Sequence, residues 1–209
     1  IFAWWAERIT GGGADAHERL TELAAAQPVG AHGLVALDWE NGNRSVLVDH
    51  ELSGVIVGLT LATRPEDVYR ALIEATAFGT RTIVEAFESA GVTVRSFTAA
   101  GGLVKNRFLM QTYADVLRRP ISLIGTEQGP ALGAAIHAAV AAGAHPDVPT
   151  AAEAMGRRIE RAFEPRPDAA SAYDALYDEY RQLHDHFGRG DDVLHRLRRI
   201  RNATLGGHG

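Results

Sequence analysis

No cysteine occurs in the 209 residues, so disulfides and thiolate metal ligands are excluded. Lysine is nearly absent too. Lys105 is the only one, so a catalytic lysine has one possible position. Excess positive charge is also lacking. The net charge is −5, which gives bulk electrostatics no reason to favour a nucleic-acid partner. No apolar run reaches the length of a membrane span, and no stretch resembles a signal peptide, so no membrane partner is expected. These absences fit a cytoplasmic protein. What is abundant is apolar residue, at 46%, enough for a sizeable core.

Ile1 to Ile9 reads as an amphipathic helix in mid-course, without a capping residue before it. The chain is therefore expected to be the C-terminal part of a longer protein. Asp15 to Gln27 reads as a second helix, with Asp15 as its N-cap. Gly33 to Leu37 is a short strand candidate, and the β-branched run Gly54 to Leu59 reads as a buried strand. A long helix follows, opened by Pro65 inside a Thr63–Glu66 capping box and running to Gly91. Phe97 to Ala100 reads as a strand, Arg107 to Leu117 as a helix stopped by Pro120, and Ile121 to Ile124 as another strand. Pro130 opens Ala131 to Ala142, apolar on nearly every side and so expected to be buried, with Gly133 allowing close backbone packing. Alternating strands and helices predict parallel pairing. The expected organisation is a helical lead-in over 1–32, an α/β core over 33–145, a helical appendage over 146–201 and a disordered tail over 202–209. Along the appendage, Tyr173, Tyr177, Tyr180 and Phe187 make an aromatic stripe that docks its helix on the core. The arginines from Arg196 to Arg201 read as solvated or salt-bridged.

The stretch with most chemical content is Gly101-Gly102-Leu103-Val104-Lys105-Asn106, between a strand and a helix. Glycines at such a turn let backbone approach a ligand, and a helix start offers free N–H groups. A tight turn with a helix-capping Asn106 explains the same residues. Lys105 either neighbours phosphates or is solvated. The segment Asp38-Trp39-Glu40-Asn41-Gly42-Asn43-Arg44 is the other polar cluster. It is either part of a cleft where Arg44 meets phosphate, or an Asn-Gly turn with a packed Trp39. His137, His184 and His186 show no metal spacing and read as surface histidines, and Asp15-Ala16-His17 is not read as catalytic.

Three segments, in order, resemble the C-terminal half of the FGGY carbohydrate kinases. They are Gly54 to Leu59 with Ala71-Leu72-Ile73-Glu74, then Gly101-Gly102 through Asn106 to Gln111, then Ala131-Leu132-Gly133-Ala134-Ala135. Leu37 to Arg44, Glu74 to Ile83 and Met110 to Val116 are most similar to the L-ribulokinase branch. The resemblance implies a ribonuclease-H-like α/β fold of the actin-like ATPase superfamily, without its first strands and without the N-terminal domain. An exposed sheet edge and apolar surface should result. It implies ATP and Mg²⁺ as cofactors and phosphorylation of the ketopentose L-ribulose at its 5-hydroxyl, in arabinose catabolism. Gly101, Gly102 and Asn106 match positions that contact adenosine, and Glu127 to Pro130 would shape the neighbouring loop. No catalytic base and no metal ligand is assigned within this chain. The fragment is expected to be inactive alone, and a homodimer is compatible with the family. A xylulokinase, another pentulose or pentitol kinase, or a noncatalytic nucleotide-binding module are the alternative readings.

Overall fold

The computed structural model describes every residue except 14, 127, 157 and 207–209. A π-helical segment, Trp4–Ile9, is followed by α1 (Ala16–Ala25), β1 (Val35–Leu37), β2 (Val55–Val57), α2 (Pro65–Ser89) and β3 (Phe97–Ala99). A 3₁₀ turn, Gly102–Lys105, leads into α3 (Arg107–Leu117), and then come β4 (Ile121–Ile124), α4 (Gly129–Ala141), α5 (Val148–Met155), β5 (Arg158–Phe163), α6 (Pro167–Asp185) and α7 (Val193–Gly206).

Helix α2 is the spine. Its Leu72, Ile73, Ala75 and Ala77 are completely buried, because its apolar positions recur on more than one face. One face packs with Leu34 and Ala36 of the β1 region. Another meets Ala16, Leu20 and Ala24 of α1 and Leu109 and Met110 of α3. The lead-in segment is thus part of the main core. Phe78 packs against Tyr173, Tyr177 and Tyr180 of α6, ring centroids 5.4 to 6.2 Å apart, so the aromatic stripe docks its helix as expected.

The α2 start differs from expectation by one residue. Arg64 is the N-cap, and its backbone N–H donates to Asp67 Oδ2 at 2.8 Å. The Thr63 hydroxyl instead accepts the Thr60 N–H at 2.9 Å, closing the preceding turn. Pro65 at the first helical position fixes the frame either way.

Parallel pairing holds only for β3 and β4, which are joined through α3. β1 and β2 form a separate antiparallel pair, Ala36 opposite Ile56. β2 is only half-buried, with Val57 42% exposed. β5 adds antiparallel to β4, giving the order β3-β4-β5. The segment expected as a helical appendage therefore contributes a strand to the core sheet. Its burial pattern explains the miss: Arg158 to Arg161 is charged and exposed, and its backbone is recruited by the edge of β4. Helix α7 continues to Gly206, through residues expected to be disordered, while 207–209 lie outside the described residues.

Helix α4 corrects a further expectation. Ile136 is its one buried side chain among the described residues, and Ala131, Ala134, Ala135 and Ala138 are exposed. A Cβ on Gly133 would meet nothing within 4 Å. Apolar composition states that a helix tolerates burial; alanine tolerates water equally well. The expected edge and apolar surface are present, with β3 at one side of its sheet and Leu59 and Leu61 exposed beyond β2.

Candidate functional site

β3 and β4 run parallel, so their C-terminal ends share one side of the sheet. Ligands in open α/β sheets bind at that side. From β3 the chain passes into Gly101, whose φ of +93° is open to glycine and strained for other residues. A Cβ at Gly101 or Gly102 would meet no atom within 4 Å, so this backbone presents a bare face. β4 leads to the α4 start, where a Cβ on Gly129 would lie 2.4 Å from Ile124 Cδ1 and 3.9 Å from Ala100 Cβ. The two loops are therefore neighbours, and a side chain at Gly129 would have to displace the tip of Ile124. Pro130 lies within the first turn of α4, and Glu127 lies outside the described residues.

Asn106 is the N-cap of α3. Its Oδ1 accepts the Leu109 N–H at 3.0 Å, and its Nδ2 donates to Thr21 Oγ1 at 3.2 Å. The capping role is thus realised. Among the described residues, its second amide hydrogen meets no acceptor. Beside it opens a cavity of about 520 Å³, lined by Gly102, Lys105, Asn106, Thr21, His17 and Tyr69. The Tyr69 hydroxyl lies 3.3 Å from His17 Nδ1 and 3.4 Å from Thr21 Oγ1. Lys105 is exposed at the rim.

His17 and Tyr69 are the wall residues that sequence reasoning missed. They sit 52 positions apart, so only the α1–α2 contact brings them together. Asp15 occupies the N-cap position of α1 as expected, but its side chain makes no capping hydrogen bond.

The Asp38–Arg44 segment divides between its two readings. Trp39 is buried in the core, and Asn43 is buried with its Oδ1 accepting the Leu47 N–H at 3.1 Å. Those two serve the turn and the packing. Asp38, Asn41 and Arg44 line a separate open pocket against α2. Burial pushes the Asp38 carboxyl up to about 6.

Of the histidines expected at the surface, His184 is 4% exposed and packs edge-on to Trp39 at 5.4 Å. Burial holds its pKa below the ordinary histidine value. His32, unremarked in sequence, accepts the Leu34 N–H at Nδ1 and so donates from Nε2 to Glu74 Oε2 at 3.0 Å inside the core. Among the described residues, no group of three or more His, Asp or Glu side chains is placed to hold a metal ion. No helix among them is long and apolar enough to cross a membrane.

The model of the FGGY family of carbohydrate kinases, C-terminal domain, matches residues 2–142. The chain is 55% identical to a ribulokinase from Mycolicibacterium smegmatis over 97% of its length, and 50% identical to one from Geobacillus thermodenitrificans over 95%. It spans only 38% of each of those proteins. The structure superposes on xylulose kinase from Rhodospirillum rubrum with a TM-score of 0.76, 32% identity, and coverage of 95% of this chain and 38% of the other. A gluconate kinase from Lactobacillus acidophilus, 23% identical with a TM-score of 0.77 over 90% of this chain and 38% of that one, shares the fold. The strand–glycine–helix order, the α/β architecture and these likenesses converge: the chain belongs to the FGGY family of carbohydrate kinases, as part of its C-terminal domain.

Proposed function

We propose that this chain is the nucleotide-binding C-terminal part of an ATP-dependent kinase that phosphorylates L-ribulose at its 5-hydroxyl. The observation that carries the sugar assignment is the likeness to ribulokinases along almost the whole chain. The nucleotide assignment is supported by the fit of the loop. Gly101 and Gly102 offer backbone that no side chain screens, beside a cavity of about 520 Å³. In this reading the glycine backbone lies against adenosine, and Asn106 holds the loop with Oδ1 while its free amide hydrogen meets the nucleotide. ATP supplies the transferred phosphoryl group. Mg²⁺ accompanies the phosphates, and no residue of this chain is assigned to it. The base for the attacking hydroxyl and the sugar contacts are assigned to sequence outside this chain. The exposed α4 face and the uncovered β3 edge are surfaces that further sequence would cover.

The test is a coupled kinase assay over a substrate panel, on the longer protein containing this chain and on the 209-residue chain alone. Turnover of L-ribulose by the longer protein and none by the chain is the expected result. Strong activity on D-xylulose with none on L-ribulose would overturn the sugar. Normal turnover by the 209 residues would overturn the assignment of the base.

A further inference from the structure

The Asn106 side chain is held at two points, and only one of them serves its own helix. Oδ1 accepts the Leu109 N–H at 3.0 Å, three residues on. Nδ2 donates to Thr21 Oγ1 at 3.2 Å, on a helix 85 positions earlier in the chain. The cap bond by itself would leave the amide free to swing about it. The second bond, at the other end of the amide, fixes its plane. That plane sets where the remaining amide hydrogen points. Thr21 and Asn106 both line the cavity of about 520 Å³.

Thr21 is in turn backed by a fixed group. Its Oγ1 lies 3.4 Å from the Tyr69 hydroxyl, which lies 3.3 Å from His17 Nδ1. Tyr69 is 2% exposed, and its ring packs on Phe2 at 5.9 Å and on the edge of His17 at 6.2 Å. Its hydroxyl is therefore anchored by the core rather than by the loop. The Glu7 carboxylate, 3.9 Å from His17 Nε2, favours a hydrogen on that nitrogen. In neutral His17, Nδ1 then accepts from Tyr69, and Tyr69 accepts from Thr21. The Thr21 proton is thus engaged away from Asn106, and its oxygen faces the amide as an acceptor.

We propose that Thr21 is a positioning residue for nucleotide binding: its hydroxyl fixes the Asn106 amide plane so that the second amide hydrogen meets the nucleotide. The proposal rests on the nucleotide reading of the loop given above. Thr21 acts through Asn106 and need not touch the nucleotide itself.

ADP titrated calorimetrically into the longer protein tests it, since ADP carries the adenosine end without turnover. Thr21→Val keeps the side-chain shape and removes the acceptor. It should weaken ADP about three- to tenfold, the range of one neutral hydrogen bond. Thr21→Ser restores the hydroxyl and should bind within about twofold of wild type. Sugar affinity should stay unchanged in both. A double-mutant cycle separates positioning from direct contact. In the Asn106→Ser background, which has no amide, Thr21→Val should cause no further loss. A full further loss there would mean that Thr21 acts independently of Asn106, and would overturn the proposal. Equal weakening by Thr21→Val and Thr21→Ser would do the same, by showing that shape rather than the hydroxyl matters. Unchanged ADP affinity in Thr21→Val, with Asn106→Ser weakened, would overturn the proposal and leave the nucleotide reading standing. Unchanged affinity in both would overturn that reading as well.

Discussion

Arg70 donates its Nε–H to Glu74 Oε1 at 2.7 Å, one turn along α2, with both side chains 2% exposed. Arg70 also donates to the carbonyls of Ala24 and Gln27 and, at 3.3 Å, to the Tyr173 hydroxyl. Glu74 receives His32 on its other oxygen. Burial works against the Arg70 charge, but the Glu74 carboxylate and Tyr173 outweigh it and hold its pKa above the ordinary arginine value. The network ties the end of α1, the middle of α2 and α6 into one unit. A charge buried so deeply is costly once its partner is gone.

Glu74→Ala is therefore expected to lower unfolding free energy by about 3–5 kcal/mol, by stranding the Arg70 guanidinium. Urea unfolding followed by circular dichroism measures it. A loss below about 1 kcal/mol would show that the pair contributes no more than an exposed one.

Asp38 gives a pH signature. Its folded-state pKa of about 6 lies above the unfolded value near 3.8, so the native state holds this proton more tightly. That contribution to stability is complete below about pH 4 and is lost as pH rises through about 6. Asp38→Asn lacks the proton equilibrium. Relative to wild type, the variant should gain about 2–3 kcal/mol between about pH 4 and about pH 7. Parallel pH series of thermal melts on both proteins decide it, and a constant difference would place the Asp38 pKa in the ordinary range.

Asn106 separates structure from binding. Asn106→Ala removes the α3 cap and should cost about 1 kcal/mol of stability. Asn106→Ser retains a capping oxygen but has no amide N–H, so it should fold at nearly wild-type stability. In the longer protein, both variants should raise the Kd for ATP several-fold while sugar affinity stays unchanged. Equal ATP affinity in wild type and Asn106→Ser would confine Asn106 to the cap and to Thr21.

Gly58 has φ of +98°, and a Cβ there would lie 2.2 Å from the Gly33 carbonyl oxygen. Gly58→Ala should cost roughly 1–3 kcal/mol from backbone strain alone, with the clash added. Loss of amide exchange protection at Val35 to Leu37 before the rest of the core would show the β1–β2 pair opening first. Unaltered protection there would show that Gly58 is not needed for this pairing.

Local signals decided what was legible in the sequence. Asn106 before Arg107, and Pro120 before Ile121, bracket α3 and β4 because capping and proline act within a few residues. The bare glycine backbone at 101–102 was likewise local, as was the aromatic period that docks α6. The order of three motifs pointed to the family without any contact being known.

The remainder depended on what meets what. Antiparallel pairing of β1 with β2, the recruitment of Arg158–Phe163 to β4 and the exposure of α4 follow from neighbours, which periodicity does not name. The same holds for the sites. His17 and Tyr69 meet beside Asn106 only because α1 packs on α2, and Asp38 and Tyr180 both approach Gly79. The sequence by itself determined most of the elements, the family and the glycine loop, because those rest on interactions within a turn or two. Tertiary structure alone decided which polar groups lost their water, and that loss is what makes Asp38, Tyr180 and the Arg70–Glu74 pair chemically distinctive.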